Sequence, residues 1–235
     1  TIDIGGSGGT TVGTNMTEAA SIMGFQATGD ALNVDGITYT FPLGGATVVV
    51  GDTTDISSTF TGACAYSAFT DYMGNCGTGS SVGVGGNGVT AAMSYAFDSG
   101  FSLAGGVSST PGSILTGDTA NADTYGIEAA YSADSYGVAV AYADYDTGST
   151  AWGVNGYYAF DFATLSAGVE SVDSGTTAEG FFLGLSFPEV GAGSLDIGMG
   201  TTGNQTNSDP NYYIYEASYA YPINDGMTIT PGIYL

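Results

Sequence analysis

Residues 122–142 contain two segments in which apolar residues alternate with small or acidic ones, joined by one tight turn. Every second residue is apolar from Tyr125 to Tyr131 in the first segment and from Tyr136 to Tyr142 in the second. A period of two predicts β-strands with one apolar face. Each segment is about ten residues long, the length that a tilted strand needs to cross a bilayer, and has a tyrosine at both ends of its apolar face. The rest of the chain repeats this unit, so the pattern predicts an all-β fold, an antiparallel transmembrane β-barrel.

The composition narrows the class of protein. The chain has 235 residues, with no Lys, Arg or His against 23 Asp and Glu, and a formal net charge of −23. This length is typical of a single barrel or sandwich. Because no side chain can neutralise a phosphate, nucleic acid is excluded as a partner. Without a His base, a Lys nucleophile or an Arg clamp, we expect no enzymatic activity.

The missing basic residues need an explanation, since an ordinary domain is about one quarter charged with both signs present. Either the natural sequence is selected for acidity, or the chain is the segment between two trypsin sites of a longer protein. The second hypothesis is motivated by the first residues, which resemble an internal segment of a longer protein.

The strand pattern divides the chain into a Gly- and Thr-rich segment at 1–30, interpreted as a loop or a weak first strand, and a barrel domain at 31–235. Twelve strands can be identified, with a possible thirteenth near the start. Glycine at position 36 predicts a bulge near Asp35.

The domain is interrupted by a long loop at 52–86. Loops of this length are usually functional, so we take it as a candidate lid or constriction. Cys64 and Cys76, the only cysteines, both lie in it. An even count in one polar loop predicts a loop-closing disulfide in an oxidising compartment, with two free thiols as the alternative.

The connections alternate in length. Tight turns lie near 43, 98, 133, 161, 189 and 223, and mostly longer polar connections at 52–86, 109–121, 145–149, 172–177 and 202–210. Short turns on one rim and long loops on the other are typical of outer-membrane barrels. Aromatic residues flank both kinds of connection, as two interfacial belts require. The predicted belt residues are Tyr95, Phe97, Tyr125, Tyr131, Tyr136, Tyr142, Trp152, Phe160, Tyr213 and Tyr221.

The residues that alternate with the lipid-facing set are predicted to line a pore. They are Glu128, Asn155, Tyr157, Glu170, Asp196, Tyr212 and Glu216. Carboxylates without basic neighbours would make an acidic lumen, and rings of Asp and Glu favour cations. The alternative is that these residues are merely solvated on the exposed face of a soluble sheet; the uniformly apolar opposite face argues against it.

Two triplets, at 146–148 and 173–175, resemble the active-site triplets of pepsin-like aspartic proteases. Such enzymes place one Asp in each lobe, whereas Asp146 and Asp173 are only 27 residues apart, and both triplets are good turn sequences. Asp144, Asp146 and the Asp residues of 118–123 could hold Ca²⁺ loosely, but they lack the ligand spacing of a dedicated site. We therefore predict no catalytic residues, no metal site and no cofactor.

Four segments carry a family resemblance: 37–52, the loop with Cys64 and Cys76, 186–200 and, most specifically, YEASYAYPINDGMTITPGIYL at 215–235. Together they resemble cyanobacterial outer-membrane porins, relatives of the OprB-like carbohydrate-selective porins that are also described as iron-uptake porins. The resemblance implies a longer barrel of about sixteen strands, commonly a homotrimer, preceded by a periplasmic domain and a coiled coil. It also implies passive passage of small solutes and ions through the outer membrane.

These observations predict an outer-membrane porin, in contact with lipid, for small hydrophilic solutes and inorganic ions. The absence of basic residues argues against carbohydrate selectivity and for a weak cation preference. An acidic extracellular β-rich protein that stacks its strands into a filament or surface layer is the main alternative. A soluble binding sandwich is the third.

Overall fold

A computed structural model describes residues 2–7, 31–84, 88–109, 123–145, 148–206 and 212–235. Strands dominate this part of the chain. They are β1 (Ile2–Ser7), β2 (Ala31–Leu43), β3 (Ala46–Asp52), β4 (Val89–Ala96), β5 (Phe101–Ser109), β6 (Asp123–Ser132), β7 (Tyr136–Tyr145), β8 (Ser149–Ala159), β9 (Thr164–Asp173), β10 (Thr177–Val190), β11 (Gly193–Thr201), β12 (Gln205–Thr206), β13 (Tyr213–Asn224), β14 (Met227–Ile229) and β15 (Gly232–Tyr234). Between β3 and β4 lie two 3-10 segments, Ile56–Thr59 and Asp71–Gly77, and the one-turn helix α1 (Gly79–Val82).

The described strands form one antiparallel sheet. Thirteen of them follow one another in chain order, from β1 to β11 and then β13 and β14. The two-residue β12 pairs with β10, and β15 continues the pairing of β14 along β13. The predicted antiparallel all-β fold is therefore confirmed. Within the described residues no ladder joins β1 to the β14–β15 edge.

The start of the chain takes part in this sheet, because β1 pairs with β2. Asp3 pairs with Gly36 and Ile4 with Val34, so Asp35 is the extra residue of a bulge at the predicted place. The rest of the predicted N-terminal segment, 8–30, lies outside the described residues.

The two faces of the sheet differ as the alternation predicts. On the outer face large apolar side chains are exposed, among them Ile127 at 60% and Val140 at 48%. The predicted belt residues lie on this face and are exposed, except for the half-buried Tyr131. Near the short turns their rings contact one another, as between Tyr95 and Phe97, whose centroids are 4.7 Å apart. In the described part of the chain, no helix is long and apolar enough to cross a membrane.

The long loop folds against the inner face, and the buried core lies between the two. Its first 3-10 segment contacts β4, β5 and β6, the helix α1 contacts β7, β8 and β9, and the second 3-10 segment contacts β8 to β11. Three apolar clusters fill the contact. They are Ile56, Val84, Ala92, Ala143 and Ala151; Tyr66, Met73, Cys76, Phe182 and Ile214; and Ala63, Ala130 and Ala139. The wall residues are alanines in the first and third clusters and Phe182 and Ile214 in the second. The sheet thus curves around the loop.

A charge on the outer face tests the lipid-facing assignment. We expect Val140→Lys to destabilise the protein folded in phosphatidylcholine vesicles by about 2–4 kcal/mol, because an ammonium near the bilayer midplane is poorly solvated. Urea titrations followed by the fluorescence of Trp152, the only tryptophan, would measure it. Ser135→Lys, in an exposed turn, is the matched control. Equal losses in both variants would contradict the assignment.

Candidate functional site

The candidate site is the contact between the long loop and the polar side chains of the inner face. Four inward residues, predicted from the strand phase alone, bind the loop here: Glu128 on β6, Asn155 on β8, Glu170 on β9 and Glu216 on β13. All four are 3–4% exposed. They therefore hold the loop rather than face open solvent.

Glu216 makes the most contacts with the loop. One carboxylate oxygen accepts hydrogen bonds from the Tyr66 hydroxyl at 3.0 Å and the Phe69 amide at 2.8 Å. The other accepts from the amide of Thr70 at 2.9 Å and from its hydroxyl at 2.6 Å. All four partners are donors, which matches an ionised carboxylate that can only accept.

Glu170 is bound in the same way at the next part of the loop. The amide and hydroxyl of Ser81 donate to one oxygen at 2.6 and 2.8 Å. The amide of Ser80 and the side-chain amide of Asn204 donate to the other at 3.1 and 2.8 Å. Asn204 follows β11, so this carboxylate also joins the loop to a second connection on the same rim.

Glu128 and Asn155 hold the beginning of the loop. The amides of Thr61 and Gly62 donate to Glu128 at 2.5 and 3.1 Å. The side-chain oxygen of Asn155 accepts from the Ala63 amide at 3.0 Å, and its nitrogen donates to the Asn75 carbonyl at 3.3 Å.

These contacts follow from the composition. A buried carboxylate is costly unless it is paired or fully hydrogen-bonded. The chain contains no Lys, Arg or His, so neutral donors must form the hydrogen bonds that satisfy each buried carboxylate. A hydrogen bond to a charged group stabilises the folded protein by about 1.5–3 kcal/mol. Backbone amides are available wherever the loop is not in regular pairing. The wall carboxylates therefore select an irregular loop as their partner.

The loop is also tied to itself. Cys64 and Cys76 form a disulfide, with their Cα atoms 5.7 Å apart, as predicted. Asn75 and Cys76 both adopt left-handed backbone conformations, each with φ of 53°, which costs an L-residue about 1–2 kcal/mol. Opposite Cys76 the wall residue is Gly168, where a Cβ would collide with the Cys76 carbonyl. The glycine thus allows the cross-linked turn to approach the sheet.

Tyr66 is the large side chain at the centre of the contact. It packs against Phe182 with ring centroids 5.0 Å apart, and a Cβ at Gly198 would lie 2.6 Å from its hydroxyl. Burial, and then the negative charge of Glu216, raise the pKa of the Tyr66 hydroxyl above its ordinary value. The hydroxyl therefore stays protonated and donates to Glu216.

The three other predicted pore-lining residues have different surroundings. Tyr157 is half-buried and packs against the cluster of Ala63, Ala130 and Ala139. Asp196 on β11 is half-buried beside the loop. Tyr212 is 60% exposed and lies just before β13, where its backbone amide donates to the Gln205 side chain at 3.0 Å. The pore-lining role of all seven residues stays a prediction.

The loop donors were not predicted. Tyr66, Thr70 and Ser81 contact carboxylates 150, 146 and 89 residues away, and no local pattern marks them.

The discounted triplet at 173–175 is a turn, in which the Gly175 amide donates to Asp173 at 2.9 Å. The other triplet begins at Asp146, which lies outside the described residues. Of the Asp residues considered for Ca²⁺, Asp118 and Asp146 lie outside the described residues, whereas Asp123 is buried on β6 and Asp144 lies on β7. In the described ranges no group of three or more His, Cys, Asp or Glu could hold a metal ion.

Comparison with known proteins agrees with this architecture. The sequence matches the model of the Gram-negative porin family over residues 3–233. The chain belongs to that family. Its place is accordingly the outer membrane, and the family and fold indicate a channel protein rather than an enzyme.

Two solved structures illustrate the fold of this porin. A multiple mutant of Rh. blastica porin shares 17% identity at a TM-score of 0.57, covering 87% of this chain and 73% of that one. OmpT, an outer membrane protein of Vibrio cholerae in its trimer form, shares 12% identity at a TM-score of 0.63, covering 88% and 71%. At such identities the likeness concerns the fold alone. Among curated protein sequences no significant match was found.

Removing the Glu216 carboxylate should release the loop. We expect Glu216→Gln to lower the free energy of unfolding by about 1.5–3 kcal/mol, because the amide nitrogen of Gln would face donors instead of accepting from them. Chymotrypsin should then cut after Tyr66 or Phe69, where the wild-type protein resists. Glu179→Gln, at an exposed position of β10, is the control. Wild-type resistance in Glu216→Gln would contradict the anchoring role.

The raised pKa of Tyr66 predicts a pH dependence. Near pH 7 we expect Tyr66→Phe to be less stable than wild type by about 1.5–3 kcal/mol, through loss of the bond to Glu216. Above the ordinary tyrosine pKa of about 10, the Tyr66 hydroxyl ionises in the unfolded chain but not in the folded one. The free energy of unfolding of wild type therefore falls by up to about 1.4 kcal/mol per pH unit, and that of the variant does not change for this reason. The difference should therefore shrink as pH rises. Urea unfolding at several values of pH would measure it, and a constant difference would contradict the assignment.

Proposed function

We propose that this porin is a passive diffusion channel for small hydrophilic solutes and inorganic ions, with a weak preference for cations. The observation that carries the proposal is the long loop, which occupies the space enclosed by the sheet. A loop there narrows the passage, so the remaining gap sets the size of the solute that can pass.

The cation preference rests on charge. The inward faces of the described strands carry Glu128, Glu170, Asp196 and Glu216, and the whole sequence contains no basic side chain. Inside a low-dielectric wall a fixed negative charge attracts cations and repels anions over about one Debye length, which is about 10 Å at 0.1 M salt. Nothing in this wall compensates that field. Hydrogen-bond donors from the loop orient towards the carboxylates without cancelling their charge.

Two finer properties belong to the same proposal. We infer a homotrimer, by analogy with the trimer form of OmpT, which chemical cross-linking in detergent would test. The OprB-like resemblance extends the proposal to carbohydrates as candidate solutes, although the chain offers no basic residue to bind them. Uptake of neutral sugars into liposomes would decide this point.

Planar-bilayer recordings test the channel proposal. The detergent-extracted protein should give stable conductance steps, because a folded barrel holds an open path. In a KCl gradient the reversal potential should have the sign of K⁺ permeation. Protein that is β-rich by circular dichroism but gives no steps would contradict the proposal, and a cross-β diffraction pattern would then favour the filament.

A further inference from the structure

The fourth inward carboxylate, Asp196, differs from the three that bind the loop. It is half-buried on β11, and its carboxylate accepts no hydrogen bond from the described residues. Glu170 and Glu216 each accept four hydrogen bonds from neutral donors. Of the inward carboxylates, Asp196 alone keeps its oxygens available to a ligand.

Two serines flank Asp196 on the neighbouring strands. The register pairs it with Ser186 of β10 on one side and with Ser218 of β13 on the other. Residues directly opposite in an antiparallel pair have Cβ atoms about 4.5–5.5 Å apart, and these three side chains point to the same face. The sheet therefore presents a row of hydroxyl, carboxylate and hydroxyl.

One of the two serines that flank Asp196, Ser186, has a hydroxyl that lacks a partner within the described ranges. The hydroxyl oxygens of Ser186 and of Ser166, which is 1% exposed and lies on the adjoining strand β9, are buried with no hydrogen-bond partner among the described residues. Buried hydroxyls are normally satisfied by protein or by a ligand or water. Ser166 lies opposite Gly184, two strands from Asp196, whereas Ser186 is directly opposite Asp196. The unpartnered Ser186 hydroxyl beside a free carboxylate indicates a site that a group from solution completes.

The row lies directly beside the loop. Gly198, which contacts the Tyr66 hydroxyl, is two residues from Asp196 on the same face of β11. The negative charge of Asp196 reaches that hydroxyl and contributes to the raised pKa of Tyr66. Asp196 is on the side of Gly198 that is nearer to the short turn between β10 and β11. A solute that passes the loop towards the short-turn rim would meet this row.

We propose that Asp196, Ser186 and Ser218 form a transit site for a partly hydrated inorganic cation, such as K⁺. The proposal rests on the channel function proposed above. Hard cations prefer oxygen ligands, and the chain supplies a carboxylate and two hydroxyls but no basic side chain to compete with the ion. A single carboxylate binds weakly, as conduction requires, because an ion must leave the site as readily as it arrives.

Asp196→Asn tests the site with little change of shape. In a gradient of KCl around 0.1 M we expect the ratio of K⁺ to Cl⁻ permeability to fall at least about twofold, and near 1 M the effect to vanish because the Debye length is only about 3 Å. Equal conductance of variant and wild type at 1 M would show that the barrel and loop are intact. Asp161→Asn removes the same charge from an exposed turn and should keep the wild-type ratio.

The role of the two serines is tested by the dependence of conductance on KCl concentration. Ser186→Ala and Ser218→Ala should raise the KCl concentration that gives half-maximal conductance, without reversing selectivity. If both behave as wild type while Asp196→Asn loses selectivity, the three-residue site is wrong and Asp196 acts as a lone charge.

The outcomes separate this inference from the channel function. Wild-type channels whose selectivity survives Asp196→Asn would overturn the transit site and leave the porin function standing. A fall in the ratio for Asp161→Asn as large as that for Asp196→Asn would overturn the transit site as well. Wild-type protein without conductance steps would overturn both the transit site and the channel function.

Discussion

The hydrogen bond between a wall carboxylate and a loop amide is the interaction on which the interior depends. In a chain without Lys, Arg or His, a carboxylate that leaves water can be satisfied only by neutral donors. Backbone amides in strands are already used in the ladders, so the donors must come from irregular backbone. Glu128, Glu170 and Glu216 stand on β6, β9 and β13 and bind successive parts of one loop. Hydrogen bonds are directional, so three such contacts fix the path of the loop more tightly than ion pairs to flexible side chains would.

The packing follows from the same arrangement. Most large apolar side chains of the strands face lipid, so the wall supplies only a few of them to the interior, among them Phe182 and Ile214. The loop supplies Ile56, Met73 and Tyr66, and many of the wall residues opposite them are alanine or glycine, which let the loop backbone approach the sheet. This division explains why alternate positions of the strands are small rather than merely polar. It also explains the 40 glycines, several of which would collide with the loop if they carried a Cβ.

The parts of the structure that local chemistry determines could be predicted from the sequence. A period of two predicts the strands and their faces, Gly36 the bulge at Asp35, and the cysteine count the disulfide. The same phase argument places Asp196 and Glu216 on the inner face, but it cannot tell that one is free and the other buried. That difference comes from Tyr66, Phe69 and Thr70, which lie about 150 residues earlier in the chain. The short helical segments of the loop were missed because their conformation depends on contacts with the wall rather than on a helical pattern of their own.

The free and the bound carboxylates have separate roles in a channel. A carboxylate that already accepts four hydrogen bonds, as Glu170 and Glu216 do, has no lone pair left to coordinate an ion. In the proposed transit site Asp196 would both contribute to the field and coordinate the ion. If only the field mattered, any inward carboxylate would serve equally, and their effects on selectivity would depend on distance alone. In the proposed transit site, one free carboxylate beside the unpartnered Ser186 hydroxyl would add to selectivity a local part that is sensitive to the size and hydration of the ion. On this proposal the loop selects the carboxylate that can bind an ion, because its donors reach Glu128, Glu170 and Glu216 and leave Asp196 free.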